Sequence, residues 1–233
     1  MSNKPPLRLT GLKSRPRRVV WSDGIPEESY AHTLVASFND LDSVRGQFQA
    51  NLNQVACLIV EPIMLNMGVT EPDPEFLPGL RALCDEYQAL LIFDEVKTGL
   101  KIAPGGATEH YRVKPDITVL AKAIGGGMPL AAFGASAEIM EELNSLRVIH
   151  VGTYASNPIT LAAAEATLKE VLTDEAYRRV FGLNKWILSR GLELSHALRR
   201  FDGLLFRWFR FGWSATTTRA RQAMQHDGFG STQ

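Results

Sequence analysis

The chain has 233 residues and a mass of 25.8 kDa, enough for one full-sized domain with a hydrophobic core. Its 45% hydrophobic and 21% charged residues exclude a disordered or fibrous protein, and its balance of 25 basic and 25 acidic side chains gives no reason to expect binding to nucleic acid or an anionic membrane. Because no apolar run approaches the roughly 18 residues of a transmembrane helix, and no apolar signal segment opens the chain, we expect a cytoplasmic protein without a membrane partner.

Residues 1–22 are predicted to form a basic arm. They contain six basic side chains, no acidic one, and the prolines Pro5, Pro6 and Pro16. Each proline fixes φ and removes a hydrogen-bond donor, so a helix is not expected. We interpret the arm as flexible or docked on a partner. A transit peptide is the alternative, but the amphipathic pattern of such peptides is missing.

Residues 23–202 alternate between strand-like and helix-like patterns. The predicted strands are apolar or β-rich runs at 32–38, 56–60, 89–93, 117–120 and 130–134. The predicted helices have apolar residues at helical spacing and span 41–52, 76–87, 157–172 and 175–198. This alternation predicts an α/β fold with a mainly parallel sheet flanked by helices.

Two cysteines, Cys57 and Cys84, lie inside apolar runs. Buried thiols are the ordinary interpretation of such positions. The sequence therefore predicts neither a disulfide framework nor a zinc site, and no metal ligands are assigned.

Residues 203–233 differ from the rest and are predicted to form a separate tail. Arginine alternates with aromatic residues through 204–213, and a polar end follows. This pattern could bind single-stranded nucleic acid. Because no other basic groove is evident, we prefer a poorly packed or partner-covered tail.

Charged side chains follow three of the predicted strands. Glu61 comes after the predicted strand at 56–60, Asp94 stands at the end of the strand at 89–93, and Lys122 follows the strand at 117–120. Open parallel sheets bind ligands beyond the carboxyl ends of their strands. A carboxylate and a lysine at such an edge are compatible with a structural ion pair, a metal site or a Schiff-base site.

Order and spacing of several motifs resemble the class III pyridoxal-phosphate-dependent aminotransferases, in particular the glutamate-1-semialdehyde aminomutase-like branch. The resemblance runs from about His32 to Gly203, so the chain looks truncated at both ends relative to that family. The upstream phosphate-binding loop and the C-terminal small domain have no counterpart. The motifs are Val60-Glu-Pro62, Asn66-Met-Gly68, Leu83-Cys-Asp-Glu-Tyr87, Leu91-Ile-Phe-Asp-Glu-Val96, Thr98-Gly99, Pro115-Asp116, Lys122 with Gly125-Gly-Gly-Met-Pro129, Gly152-Thr153 and Asn157-Pro158.

The resemblance implies fold type I of the pyridoxal-phosphate enzymes, with residues 23–202 as a partial cofactor-binding large domain. Lys122 would form the Schiff base with the cofactor and act as the base, and Asp94 would pair with the pyridine nitrogen. Val96 would pack against the ring, and Glu61 would lie near the cofactor's oxygen side. Thr153 would bind the cofactor phosphate across a homodimer interface.

The activity implied is transfer of an amino group between an amine or amino acid and a keto acid or aldehyde. An intramolecular aminomutase of the same family is one alternative, and a folded fragment without catalysis is another. Lys97 departs from the branch, which usually has an uncharged side chain there. Strand alternation would turn Lys97 away from Asp94, so a surface or ion-pair role is expected for it.

Overall fold

A computed structural model describes residues 7–10, 17–20 and 22–198. The predicted tail 203–233 and most of the predicted arm lie outside the described residues. The described part of the chain divides into two compact units, one formed by its residues up to 58 and by residues 72–91, and the other by residues 59–71 and 92–198.

The described residues form six strands and six α-helices. The strands are β1 (Leu7–Thr10), β2 (Arg17–Val20), β3 (Cys57–Val60), β4 (Leu90–Asp94), β5 (Ile117–Ala121) and β6 (Ala131–Ala135). The helices are α1 (Leu41–Ala50), α2 (Phe76–Glu86), α3 (Gly106–Tyr111), α4 (Ala137–Asn144), α5 (Pro158–Ala166) and α6 (Asp174–Leu198). No helix in this part of the chain is both long and apolar enough to span a bilayer.

The main sheet has the strand order β3-β4-β5-β6. Strands β4 and β5 are parallel, with Asp94 opposite Val119, and β6 is antiparallel to β5. The carbonyl of Ala56, just before β3, accepts a 2.9 Å hydrogen bond from the N–H of Leu90, so β3 and β4 begin at the same edge. The predicted α/β class and mainly parallel sheet are confirmed.

In the first unit, α1 packs against α2. The Asp40 side chain caps α1 by accepting a 2.9 Å hydrogen bond from the N–H of Ser43. The approach of the helices is close, because a Cβ placed on Gly79 would lie 2.4 Å from a methyl carbon of Leu41. Glycine at this position therefore lets the two helices meet.

The predicted strand at 32–38 is wrong, since the structure has no strand there. The Val35 carbonyl instead accepts a hydrogen bond from Gln47 Nε2 at 3.3 Å, and the Ser37 N–H donates to Ser43 Oγ at 3.0 Å. Side chains of α1 thus satisfy backbone groups that a strand would have paired in a sheet.

Strands β1 and β2 form an antiparallel pair within the predicted arm, where the prolines had excluded only a helix. One further expectation needs correction. Cys57 is exposed rather than buried, while Cys84 is buried as expected. Because side chains alternate along β3, Cys57 shares a face with the largely exposed Ile59.

In the second unit, the predicted helix at 157–172 is α5 followed by a π-helical turn, Thr167–Val171. The hydroxyl of Thr167 donates to the Ala163 carbonyl at 2.8 Å. A Cβ on Gly126 would lie 2.2 Å from that hydroxyl oxygen, so this end of α5 packs directly on the glycine turn after β5. The helix predicted at 175–198 matches α6.

Candidate active site

The second unit brings three predicted site residues to the carboxyl ends of neighbouring strands. Glu61 follows β3, Asp94 is the last residue of β4, and Lys122 follows β5 directly. Because β4 and β5 are parallel, Asp94 and Lys122 lie at the same edge of the sheet. The structure therefore provides a carboxylate and an amine where ligands of open α/β sheets bind.

The Asp94 carboxylate is anchored by the turn that follows it. Its Oδ1 accepts a 3.0 Å hydrogen bond from the N–H of Val96, and the N–H of Glu95 pairs with the Val119 carbonyl at 2.9 Å. Val96 lies in a turn rather than in the strand, so the alternation of side chains along a strand does not determine the orientation of its side chain. It is 6% exposed.

Sequence reasoning missed Glu95, whose carboxyl group holds this loop together. Glu95 is buried, and its Oε2 accepts hydrogen bonds from Thr98 Oγ1 at 3.1 Å and from the Ala107 N–H at 2.7 Å. Burial raises the pKa of this carboxyl group, and the hydrogen bonds from Ala107 and Thr98 act in the opposite direction. Its position inside the Asp-Glu-Val motif was the available signal.

Lys122 opens a short 3₁₀ turn, Lys122–Gly125, and its side chain is exposed. Its φ of 54° lies in the left-handed region that non-glycine residues seldom occupy. Such backbone strain is common where a side chain is held for function. Packing of the following glycine turn on α5 supports this conformation.

A second lysine, Lys101, lies close to the site and was not predicted. Its side chain is half-buried. Burial lowers its pKa, and the positive charges of Lys122 and Lys97 lower the pKa further. Lys101 therefore lies within electrostatic range of both Lys122 and Lys97.

Glu61 belongs to a hydrogen-bonded row with Asn66 and Lys97. The Lys97 ammonium donates to Asn66 Oδ1, and Asn66 Nδ2 donates to Glu61 Oε1 at 3.2 Å. A surface or ion-pair role was expected for Lys97, and its ammonium bonds an amide rather than a carboxylate. The other carboxylate oxygen, Glu61 Oε2, is buried and has no hydrogen-bond partner among the described residues.

Thr153 lies in an exposed turn before α5, and no hydrogen bond joins it to another described residue. The Asn157-Pro158 motif has a local structural role. Asn157 Oδ1 accepts hydrogen bonds from the N–H groups of Ile159 and Thr160, at 3.1 and 3.2 Å, and Pro158 begins α5. The motif is therefore a helix start.

The arrangement combines a fixed carboxylate, an exposed lysine and a buried carboxylate oxygen without a donor. These groups can hold a protonated ring nitrogen, attack an aldehyde carbon and accept a hydrogen bond. Across the described residues, no three His, Cys, Asp or Glu side chains cluster in a way that could hold a metal ion.

Comparison with known proteins identifies relatives in sequence and in fold. The chain is 46% identical over 182 residues to glutamate-1-semialdehyde 2,1-aminomutase of Francisella philomiragia subsp. philomiragia, covering 78% of this chain and 41% of that protein. An omega-transaminase from Sphaerobacter thermophilus superposes with a TM-score of 0.75 and 29% identity, covering 81% of this chain and 44% of its own. A transaminase solved with PLP bound gives a TM-score of 0.71 and 28% identity, covering 76% and 42%.

The chain thus spans less than half the length of each of these proteins. The family model described as "Aminotransferase class-III" matches residues 22–202, most of the chain and every predicted site residue. The chain belongs to the class-III aminotransferase family.

Proposed function

We propose that this chain binds pyridoxal 5′-phosphate and transfers an amino group between an amine or amino acid and a keto acid or aldehyde. The observation that carries the proposal is the placement of Asp94 and Lys122 at the carboxyl ends of adjacent parallel strands. Family membership and the relative solved with PLP bound support the choice of cofactor.

The residues of the site fit this cofactor. The Asp94 carboxylate, fixed by the Val96 N–H, suits a protonated ring nitrogen. The exposed Lys122 amine is accessible to an aldehyde. The buried Glu61 Oε2 offers an acceptor to an O–H or N–H donor. When bound, the cofactor supplies an electron sink for the substrate carbanion.

Each residue has a proposed role. Lys122 holds the cofactor covalently at its amine and, once that amine is free, carries a proton to and from the reacting substrate carbon. Asp94 keeps the ring nitrogen protonated through a charge-assisted hydrogen bond. Val96 packs against one face of the ring.

A second candidate function is an intramolecular aminomutase, favoured by the 46% identity to an aminomutase. The two activities differ in their need for a second substrate. Turnover without added keto acid supports the aminomutase, whereas strict dependence on keto acid supports the transaminase.

We also propose a cytoplasmic homodimer with a shared active site, in which Thr153 binds the cofactor phosphate of the neighbouring subunit. A run of exposed apolar side chains flanks Thr153 and supports an interface there, because such side chains are ordinarily buried. Its most exposed members are Leu146, Ile149, Val151, Tyr154 and Ile159.

The proposed cytoplasmic location is supported by the cysteines. Cys57 and Cys84 form no disulfide, which suits a reducing compartment.

The test is incubation with pyridoxal phosphate, borohydride reduction and peptide mapping by mass spectrometry. We expect one reduced adduct, on Lys122, which is absent from Lys122→Ala and present in the exposed control Lys114→Ala. An adduct on Lys97 or Lys101 instead would contradict the assignment. No adduct, together with no visible absorption band, would favour a folded fragment without catalysis.

A further inference from the structure

The row formed by Glu61, Asn66 and Lys97 connects two anchored segments of the second unit. Glu61 and Asn66 lie in the loop after β3, which is closed by two backbone hydrogen bonds between Met64 and Thr70, at 3.0 and 3.1 Å. Lys97 lies in the turn after β4, which Glu95 fixes. Because both ends are held, the hydrogen bonds of the row define where the Glu61 carboxylate points.

The charge of Lys97 determines how the Asn66 amide is oriented. An ammonium can only donate hydrogen bonds, so the carbonyl oxygen of Asn66 must face Lys97. The amide NH₂ group then faces Glu61 and donates to Oε1. A flipped amide would place its NH₂ against the ammonium and its carbonyl against the carboxylate, which would lose both bonds.

This orientation leaves one carboxylate oxygen unused. Oε1 of Glu61 is occupied by Asn66, while Oε2 is buried and without a partner among residues 22–198. A buried acceptor with no donor carries a desolvation penalty, which a ligand that brings a donor removes. The row therefore holds an acceptor ready for a group from outside the described chain.

We propose that Lys97 is a positioning residue for ligand binding: acting through Asn66, it holds Glu61 so that Oε2 accepts a hydrogen bond from the bound cofactor or its amine. The inference rests on the proposed function and extends it to a residue that departs from the family's usual uncharged side chain. The donor has two possible sources, the ring hydroxyl of the cofactor and a primary amine.

The experiment measures dissociation constants by calorimetry for pyridoxamine phosphate and pyridoxine phosphate, neither of which has an aldehyde that reacts with lysines. Lys97→Met keeps most of the side-chain length and removes the charge, and Lys114→Met is the matched control at an exposed lysine. We expect Lys97→Met to weaken pyridoxamine phosphate about tenfold, or roughly 1.4 kcal/mol. An equal loss for pyridoxine phosphate indicates the ring hydroxyl, and a loss confined to pyridoxamine phosphate indicates the amine.

Two further variants separate positioning from a general effect on the loop. Lys97→Arg keeps a charged donor and should restore most of the affinity. In a Glu61→Gln background, Lys97→Met should cause little further loss, because the path through Glu61 is already broken. Thermal unfolding of each variant checks that the fold is retained.

The outcomes distinguish a failure of the positioning role from a failure of the proposed function. If the unmodified chain binds both compounds and Lys97→Met binds them equally well, the positioning role is wrong and the proposed function stands. Fully additive losses in Lys97→Met and Glu61→Gln would also overturn the role. If the unmodified chain binds neither compound, the proposed function fails and this inference fails with it.

Discussion

The buried carboxylate of Glu95 accepts a 2.7 Å hydrogen bond from the backbone N–H of Ala107, twelve residues further along the chain. The same oxygen accepts a bond from Thr98, so one carboxyl group ties the turn after Asp94 to the start of α3. A Cβ on Gly106 would lie 2.3 Å from this oxygen, and only glycine leaves the space. The loop that carries Val96 and Lys97 is therefore organised around the buried Glu95 carboxyl group.

The first prediction concerns the pH dependence of stability at Glu95. Its pKa in the folded chain is raised above the ordinary value of 4.5, so the folded state favours the protonated form. The contribution of Glu95 to stability is complete below pH 4.5 and is lost as pH rises through the raised folded value. In Glu95→Gln, which does not titrate, this loss should disappear.

Urea unfolding of the unmodified chain and of Glu95→Gln, at several pH values from 4.5 upward, measures how the free energy of unfolding changes with pH. Glu138→Gln, at an exposed carboxylate in α4, is the control and should follow the unmodified chain. Parallel pH profiles for the Glu95→Gln and unmodified proteins would contradict the prediction.

The second prediction compares three glycines. A Cβ on Gly126 would collide with the Thr167 hydroxyl, and its φ of 57° is unfavourable for alanine. Gly127 also has positive φ but faces open space, and Gly134 in β6 has neither constraint. Gly126→Ala should therefore cost about 2 kcal/mol, Gly127→Ala about 1 kcal/mol, and Gly134→Ala almost nothing.

The free energy of unfolding of the three variants, from urea titration, gives the ranking. Because Gly126 packs where the turn after Lys122 meets α5, its replacement should also weaken cofactor binding. A Gly126→Ala variant as stable as Gly134→Ala would show that the turn is not pressed against Thr167.

Much of the fold could be predicted from the sequence because its strands are short apolar runs and its helices carry apolar stripes. Leu91 and Phe93 in β4 are fully buried, and the stripe in α2 is buried at Leu80, Leu83 and Cys84. The run at 32–38 has similar composition, but hydrogen bonds from α1 side chains determine its structure. Composition alone does not contain such non-local contacts.

The same distinction applies to the site. Asp94 and Lys122 could be predicted because strand ends and motif spacing mark them. Glu95 is marked only by its position inside the Asp-Glu-Val motif, and nothing in the sequence marks Lys101, since the surroundings of both depend on how an irregular loop folds back on itself. The contact between Lys97 and Asn66 joins residues 31 positions apart and has no periodic signal.

The third prediction tests whether the lysines of the site are close enough to interact. The pKa of Lys101 lies below its ordinary value of 10.5, through burial first and then through the charges of Lys122 and Lys97. Lys122→Met removes one positive charge and should raise the pKa of Lys101. The pKa should remain below 10.5, because burial is unchanged.

Reductive ¹³C-methylation of lysines and NMR titration measures this pKa, with the signal assigned by Lys101→Arg. Lys114→Met serves as the control and should leave the Lys101 titration where it was. If the pKa of Lys101 is the same in Lys122→Met as in the unmodified chain, the two amines are too far apart to interact.

The fourth prediction concerns Asp94. Asp94→Asn keeps the shape and the acceptor for the Val96 N–H but cannot stabilise a protonated ring nitrogen by charge. Cofactor should still bind, while the rate of amino transfer falls roughly a hundredfold, which corresponds to about 3 kcal/mol of transition-state stabilisation. Single-turnover absorbance with an amine donor measures the rate, and an unchanged rate would remove Asp94 from the site.

The last prediction concerns Thr153, whose hydroxyl has no partner among the described residues. If it binds the phosphate of a neighbouring subunit's cofactor, each site needs two chains, and cofactor affinity should fall as the protein is diluted to monomers. Thr153→Ala should weaken pyridoxal phosphate about tenfold, the effect of one hydrogen bond to a charged group. Thr153→Ser, which keeps the hydroxyl, should bind normally.

The basic arm of residues 1–22 is the competing source of phosphate contacts, since it contains Lys13, Arg15, Arg17 and Arg18. Titrating cofactor into Thr153→Ala and into a chain that lacks residues 1–22 separates the two sources. Because the Thr153 hydroxyl and the arm belong to different segments, Thr153→Ala and the removal of residues 1–22 should each affect only the phosphate contact of that segment. Normal affinity in Thr153→Ala with lost affinity in the shortened chain would assign the phosphate to the arm and refute the cross-subunit role of Thr153.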